Sequence, residues 1–532
     1  MIKFLQEGHK DFIKNNKIDK KYLNIKTKNK ILVDFFDDYS VIFVFSAMKK
    51  YLQQKYNANF EYFSFNEWQN VQLSFKKGLV QNLKSLIRKF RTYKILKRLF
   101  SSFGVSQGVI INYNNFSFFE KAEKKASKIF NNLNSIDDVY KIKYKSINLG
   151  KYIYQSYLRD HNQPTIDLND IRLREIIKKS FIIFFNVQEY FSKNNVKILI
   201  PSHTVYLYYG IITEYAFKRG CKVFRVKQSG FRDTTSTHLI RVDNKLSEAP
   251  PTHNYKKIFD NFSFKNKKLF RDIGRKHLLD RFKGKLELNL SGKNIIYHKN
   301  KKKLSFKRNR KKILLFLPCF FDGPGRHENL IFPDFYQWIL FVLDHAKNTP
   351  FDWYIKPHPV GIKENDEIIK ELKKNYLKNK NLIFISKQIS NSFLINQNFQ
   401  SLFCHHGNVV PEFAYQNIPV VVACNDFASS FDIAVRAKNK NHLKRLIIEA
   451  DNIKFKSNKK NIYEFIYMHF IYFMGYIEDN RIFKNNLESK LKSFHDSHNA
   501  NITHHKFFQL FSNKDYKYAE EKIKNLLKEM KI

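Results

Sequence analysis

Short apolar runs, each closed by a polar or turn residue, alternate along this chain with longer stretches whose apolar positions repeat at helical spacing. The first kind has the length of a buried strand, the second the period of an amphipathic helix. Residues 1–30 are Lys-rich and weakly patterned, which predicts a short helix in a basic arm. The run ILVDFF at 31–36 predicts the first strand, 41–52 a helix, and 60–65 and 108–113 (GVIINY) further strands. Helical spacing fills 116–133 and 170–193. A strand at 197–200, a helix at 205–219 and a strand at 222–226 follow.

The rhythm returns more clearly later. Strands are predicted at 313–317, 353–355, 382–385, 402–404 and 420–423, with helices at 333–347, 364–379 and 409–416 between them. That many strand–helix units in roughly 110 residues make one Rossmann-like domain. Strands alternating with helices argue for doubly wound parallel sheets in both halves. The fold class expected is therefore α/β, with Rossmann-like domains at 31–245 and 312–432. A connection at 246–311 holds Pro250-Pro251 and the basic run KNKKKLSFKRNRKK, both marks of a linker. Residues 433–532 read as a mostly helical region.

Composition changes this picture little. A chain of 532 residues exceeds what one core of ~250–300 residues supports, which agrees with two domains. The formal net charge of +47 points to polyanions: nucleic acid, anionic lipid or a phosphorylated substrate. The lysines are scattered among Asn, Ile, Phe and Tyr, a coding bias toward AT-rich codons, and no RNA-binding signature is found. No nucleic-acid partner is expected. Four cysteines, Cys221, Cys319, Cys404 and Cys424, are no disulfide framework. A charge interrupts any apolar core after Met1, so no signal peptide is expected, and the uncharged run 198–213 is too short and polar to span a bilayer. The expected location is the cytoplasm, with peripheral attachment to the inner face of the membrane.

Ligands of open α/β sheets bind beyond the carboxyl ends of the strands. After the strand at 313–317, Gly323 and Gly325 allow close backbone approach and Arg326 offers a forked donor set for phosphate. After the strand at 353–355 comes Lys356-Pro357-His358-Pro359. The two prolines stiffen the backbone around His358, which can donate to a leaving phosphate beside Lys356. After the strand at 402–404 comes Cys404-His405-His406-Gly407-Asn408, then Glu412 one turn into a helix. His406, Gly407 and Asn408 suit an anion and Glu412 suits ribose hydroxyls. Adjacent residues on a strand point to opposite faces and no CxxC is present, so no metal is expected there.

Strand–KPHP–helix followed by HHGNVVPEFAYQNIPVVV resembles bacterial GT-B glycosyltransferases of surface and capsular polysaccharide assembly, notably the Kdo-transferase-like and sialyltransferase-like groups. The KPHP element is shared with teichoic-acid glycerophosphotransferases. The later pattern also recurs in UDP-N-acetylglucosamine 2-epimerases. The resemblance covers about 310–430. It implies two Rossmann-like domains facing a cleft, with His358 on the donor phosphate and Gly407 and Glu412 on the nucleotide. The CMP-sugar and CDP-glycerol groups usually carry serine pairs where this chain has His-Gly-Asn, so the nucleotide stays open between CMP-Kdo or sialic-type and UDP-sugar donors.

In the first half, Pro201-Ser202-His203-Thr204-Val205-Tyr206 follows one strand, and Lys227-Gln228-Ser229-Gly230-Phe231-Arg232-Asp233 follows the next. The two loops should share one sheet edge and hold the acceptor. His203 or Asp233 is the expected base, or Asp233 a nucleophile if configuration is retained; Tyr206, Gln228, Gly230 and Arg232 are the expected acceptor contacts. The aromatic stretch 150–160 reads as core packing. Asp34, Asp37 and Asp38 straddle two phenylalanines and form no DxD motif, so metal-independent transfer with no cofactor is expected. The predicted function is transfer of a sugar from a nucleotide-activated donor to a surface polysaccharide or lipid-linked glycan, so the expected partners are a nucleotide sugar, a glycan or lipid-linked acceptor and the membrane surface. The alternatives are a nucleotide-sugar 2-epimerase, a polyol-phosphate transferase, a non-catalytic assembly protein that kept the fold and, more distantly, a basic nucleic-acid-binding protein.

Overall fold

The computed structural model describes residues 5–16, 25–36, 39–65, 79–111, 116–228, 237–241, 255–283, 304, 309–321, 324, 330–359, 363–425, 428–472, 508–529 and 532. The chain divides into two compact units. The first is Met1–Ile153, Leu168–Glu248 and Gly475–Ile532; the second is Tyr154–Asp167 and Ala249–Met474.

The first unit holds β1 (Asn29–Asp34), β2 (Asn59–Phe65) and β3 (Ser106–Ile111). A small antiparallel ribbon follows, β4 (Lys143–Tyr144) with β5 (Ile147–Asn148), and then β6 (Asn195–Ile200), β7 (Lys222–Gln228) and β8 (Thr237–Arg241). The main sheet has the order β3-β2-β1-β6-β7-β8, parallel throughout except for antiparallel β7 and β8. Ile31, Leu32 and Val33 are all fully buried, as a strand covered on both faces requires. The helix Tyr39–Tyr56 covers one side, and the helix Asn513–Glu529 joins that core through Ala519, Ile523 and Leu527.

The second unit holds β9 (Lys312–Phe316), β10 (Asp352–Lys356), β11 (Leu382–Phe384), β12 (Ser401–Cys404), β13 (Val420–Val422) and β14 (Val435–Arg436). Their order is β11-β10-β9-β12-β13-β14, all parallel. With the ribbon set aside, both sheets run 3-2-1-4-5-6 in their own chain order, the order of doubly wound nucleotide-binding folds. Both halves are thus α/β and Rossmann-like. The switch points, where consecutive connections depart to opposite faces, lie between β1 and β6 and between β9 and β12.

The structure adds elements that the hydrophobic pattern hides. One is the helix Leu79–Ser102. Others are β8, β14 and the helix Phe264–Phe282, which occupies the stretch read as a linker. That helix is rich in Lys and Arg, and only Gly274, Leu278 and Arg281 are buried in it. It docks by close approach and by ring contacts: a Cβ on Gly274 would lie 2.2 Å from the Tyr463 carbonyl oxygen, and Phe270 stacks on Tyr467 at 4.2 Å. The aromatic stretch at 150–160 is core, with Tyr152, Tyr154 and Tyr157 all buried.

Candidate functional site

The carboxyl edge of the second sheet gathers three of the predicted loops on adjacent strands, since β10, β9 and β12 are neighbours. β10 ends at Lys356. Pro357 is buried there, and His358 and Pro359 are half-buried just beyond the strand. On the other side of β9, β12 ends at Cys404 and the turn His405-His406-Gly407 leads into the helix Val409–Tyr415. Gly407 has φ +131°, a conformation that disfavours any side chain, although a Cβ there would meet nothing within 4 Å. The glycine is needed for backbone shape, and the space beside it is open. The helix has seven residues, and Asn408 makes no side-chain cap. What it offers an anion is its first turn of amide N–H groups, with little macrodipole behind them.

Beneath this edge lies a buried ionic network. Arg281 Nε and Nη2 donate to Glu412 Oε1 at 2.8 and 2.7 Å. Asn391 Nδ2 donates to Glu412 Oε2 at 3.1 Å, and Lys356 Nζ donates to Asn391 Oδ1 at 2.6 Å. Glu412 is 0% exposed, Arg281 2%, and Lys356 and Asn391 4% each. Burial pulls the Lys356 ammonium down to about 8, opposed by the charge of Glu412. Below that pH the cluster holds two cations and one carboxylate, a net positive charge fixed in a low-dielectric interior. Glu412 was expected on ribose hydroxyls, and Lys356 directly on phosphate. In the structure Glu412 accepts from Arg281 and Asn391, and Lys356 donates one N–H to Asn391.

The histidine pair also departs from expectation. His405 and His406 were expected on opposite faces of a strand. The strand stops at Cys404, so their rings meet, Nδ1 to Nδ1 at 3.0 Å. Ligand atoms of His405, His406 and Cys424 all lie within 4.8 Å of one another, which is metal-holding proximity. Two imidazoles on one tetrahedral zinc would have their nitrogens about 3.3 Å apart, from Zn–N distances of ~2.0–2.1 Å. The observed 3.0 Å is hydrogen-bond spacing, and Cys424 Sγ donates to the His405 carbonyl oxygen at 3.3 Å. Burial, with the His406 charge second, drives the pKa of His405 well below the ordinary range and keeps its ring neutral. Phe335 and Trp338 enclose that ring at centroid distances of 4.5 and 5.5 Å.

The first sheet's edge is organised around a carboxylate. Asp34, the last residue of β1, is 2% exposed. It accepts a hydrogen bond from the Ser202 backbone N–H at 3.2 Å and another from the Ser202 hydroxyl. This ties the end of β1 to the turn after β6 and fixes His203, the next residue. The His203 ring packs edge-on against Phe36 at 6.0 Å and Tyr209 at 5.3 Å. Tyr206, the first residue of the helix Tyr206–Lys218, has φ +64°. That is a strained conformation for a bulky residue, of the sort that clusters at functional sites.

No family model matches the chain, and no curated protein sequence matches it. Among solved structures it overlaps a Thermosulfurimonas dismutans protein described as KpsC, beta Kdo 2,4 transferase, at TM-score 0.33 and 12% identity, covering 51% of this chain and 79% of that one. It overlaps Anabaena Alr3699/HepE in complex with UDP and glucose at TM-score 0.25 and 9% identity, covering 87% and 97%. A UDP-glucose: anthocyanidin 3-O-glucosyltransferase in complex with UDP overlaps at 0.22 and 8%, covering 94% and 100%. The strand order gives the fold.

Of the residues expected at the donor edge, Lys356, His358, His406, Gly407, Asn408 and Glu412 are described, and Gly323, Gly325 and Arg326 lie outside the described residues. The start of their loop is anchored: Asn365, fully buried, accepts from the Phe320 N–H at 3.0 Å. In the first unit, His203 and Tyr206 are described. Gln228 is described as the last residue of β7 without its side chain, and Gly230, Arg232 and Asp233 lie outside the described residues. The sequence reading missed Asp34 as a partner of Ser202, and Arg281 and Asn391 altogether. An aspartate closing an apolar strand is a visible signal. Its partner is visible only once β1 and β6 are known to be neighbours.

Proposed function

We propose that this chain is a metal-independent glycosyltransferase that takes a nucleotide-activated sugar. The observation that carries the reading is the second sheet's carboxyl edge. His358 and the His406-Gly407-Asn408 turn leave strands on either side of β9 at the switch point, over a buried cluster of net positive charge. The site suits a diphosphate or monophosphate: a polarising imidazole on one side, amide N–H groups on the other and a fixed cationic field below. Lys356, Glu412, Asn391 and Arg281 act through position and field, while His358 and the glycine turn meet the phosphate.

On the first unit, His203, held by the Asp34–Ser202 bonds, takes the proton from an acceptor hydroxyl, with Asp233 the alternative base. The acceptor oxygen then bonds to the anomeric carbon as the bond from that carbon to the phosphate oxygen breaks. His358 donates a hydrogen bond to the departing phosphate. The donor class stays between CMP-sugar and UDP-sugar types. The acceptor is a growing surface polysaccharide or a lipid-linked glycan at the inner face of the cytoplasmic membrane.

The test is thermal stabilisation of the full chain by CMP, CDP, UDP, GDP and dTDP, followed by sugar transfer from the matching donor. One nucleotide is expected to raise the melting temperature. His358→Ala is expected to lower kcat by about 10²–10³-fold while leaving nucleotide affinity within a few-fold. Unchanged transfer in that variant would remove His358 from the mechanism. Release of a modified free nucleotide sugar without acceptor would replace transfer by epimerisation.

A further inference from the structure

The helix Leu79–Ser102 presents a feature that sugar transfer does not use. Its core contacts come from one side: Leu96, Leu99 and Phe100 are buried in the first unit's core. Leu83, Ile87 and Phe90 follow one another at spacings of four and three residues, which places them in one stripe. Continued along the helix at 100° per residue, this stripe points roughly opposite to the buried side. These three side chains are 55%, 58% and 47% exposed. Among the described residues, this stripe faces away from the core that Leu96, Leu99 and Phe100 enter.

The charged residues around the stripe are all of one sign. Lys84, Arg88, Lys89, Arg91, Lys94, Lys97 and Arg98 are exposed, and the helix contains no Asp or Glu. Lys94 continues the line of the stripe, with its ammonium over the Phe90 ring at 4.3 Å from the centroid. Long basic side chains of this kind keep their stems on apolar surface and lift their charges to an interface. The charges also exclude a transmembrane reading, and among the described residues no helix is long and apolar enough to cross a membrane.

We infer that the helix Leu79–Ser102 is a docking element for an anionic lipid surface. Leu83, Ile87 and Phe90 enter the headgroup boundary, and the flanking Lys and Arg side chains meet lipid phosphates. An exposed apolar stripe bordered by like charges, lying in the plane of the interface, is the pattern such surfaces select. Nucleic acid would satisfy the charges and leave the stripe in water, and an acidic protein would need a complementary apolar ridge. The inference gives a lipid-linked acceptor a physical route to the first unit. It rests on the transfer reading for that purpose alone.

The experiment is co-sedimentation of the full chain with vesicles of mixed phosphatidylglycerol and phosphatidylcholine, and of phosphatidylcholine alone. Nucleotide stabilisation is measured on the same samples. Binding is expected to the anionic vesicles only and to weaken with added salt. The triple variant Leu83→Ser, Ile87→Ser, Phe90→Ser is expected to lose at least about 10-fold in binding. Lys84→Glu with Arg88→Glu and Arg91→Glu is expected to abolish it. All six positions are exposed, so melting temperature and nucleotide stabilisation should not change, which separates failure here from failure of the donor site. The inference is overturned if the wild-type chain stays in the supernatant, or if the serine variant binds vesicles as well as the wild type. It is also overturned if the wild type is a dimer that the serine variant turns into a monomer while vesicle binding persists.

Discussion

The two sheets share a strand order and differ in what they place at the switch point. In the first, a carboxylate closes the first strand and grips the turn after the fourth: Asp34 holds Ser202. In the second, the first strand closes on Phe316. The charges come from its neighbours, Lys356 from the second strand and Glu412 from the helix after the fourth, balanced by Arg281. One edge is built around a buried anion beside a histidine, the other around a buried excess of positive charge. One architecture can therefore serve opposite electrostatic demands. An edge that accepts a proton is supported by negative charge, and an edge that receives a phosphate by positive charge. The strand order fixes where the two edges lie, and a few buried side chains fix the sign of their charge.

The comparison breaks most readily at Glu412. Glu412→Ala would leave Arg281 and Lys356 buried without their carboxylate, and a loss of about 3–5 kcal/mol is expected. Denaturant unfolding followed through the fluorescence of the second unit's Trp338 and Trp353 measures it. A loss below about 1 kcal/mol would mean that the network relaxes to solvent.

At the first edge, Asp34→Ala leaves the buried Ser202 N–H and hydroxyl without their acceptor, and about 1–3 kcal/mol of stability should be lost. If Asp34 positions His203, kcat should fall by at least about 10-fold with KM little changed. A merely structural role would lower stability and leave kcat in place.

The sign of the second edge can be titrated. Lys356 loses its proton as pH rises through about 8, so kcat/KM is expected to fall above that pH. The limb should vanish in Lys356→Met, which has no charge to lose. Stability moves the opposite way. Because the folded pKa lies below the ordinary 10.5, the folded state gives up the proton first, and the cost of burying the cation is relieved as pH rises from about 8 toward 10.5. Activity falling while stability rises over one pH window is the signature of a charge kept for function. A smaller effect is expected at Gly407→Ala, about 1 kcal/mol of backbone strain with open space beside the new methyl. The smallest is expected from dialysis against a zinc chelator, which should leave transfer unchanged. A loss of activity would turn the His405, His406 and Cys424 cluster into a metal site.

The strands were legible because parallel strands buried on both faces write themselves as apolar runs: β1, β6, β9, β10 and β12 all fall within two residues of their predicted places. The helix Phe264–Phe282 was not, since its docking residues Phe270, Gly274, Leu278 and Arg281 are scattered through a basic sequence. Site residues divided in the same way. His358 and Gly407 announce themselves through local backbone chemistry, two flanking prolines and a positive φ. Asp34, Asn391 and Arg281 matter through partners 168, 21 and 131 residues away, which no local pattern encodes. Lys356 and Glu412 were visible as charges, but their burial and their partner Asn391 were not, because sequence indicates charge without indicating depth.

The helix Asn513–Glu529 sets an order of events during synthesis. Ala519, Ile523 and Leu527 complete a core begun by residues such as Ile31 and Phe43, and Lys55 Nζ donates to the Ile532 carbonyl oxygen at 2.7 Å. The second unit lies almost wholly between those two contributions. On a ribosome that makes about 5–20 residues per second, the second sheet is complete while the first still lacks its last layer. The unit encoded first must therefore finish last, with its apolar flank uncovered for the seconds or tens of seconds in which a chaperone could act on it.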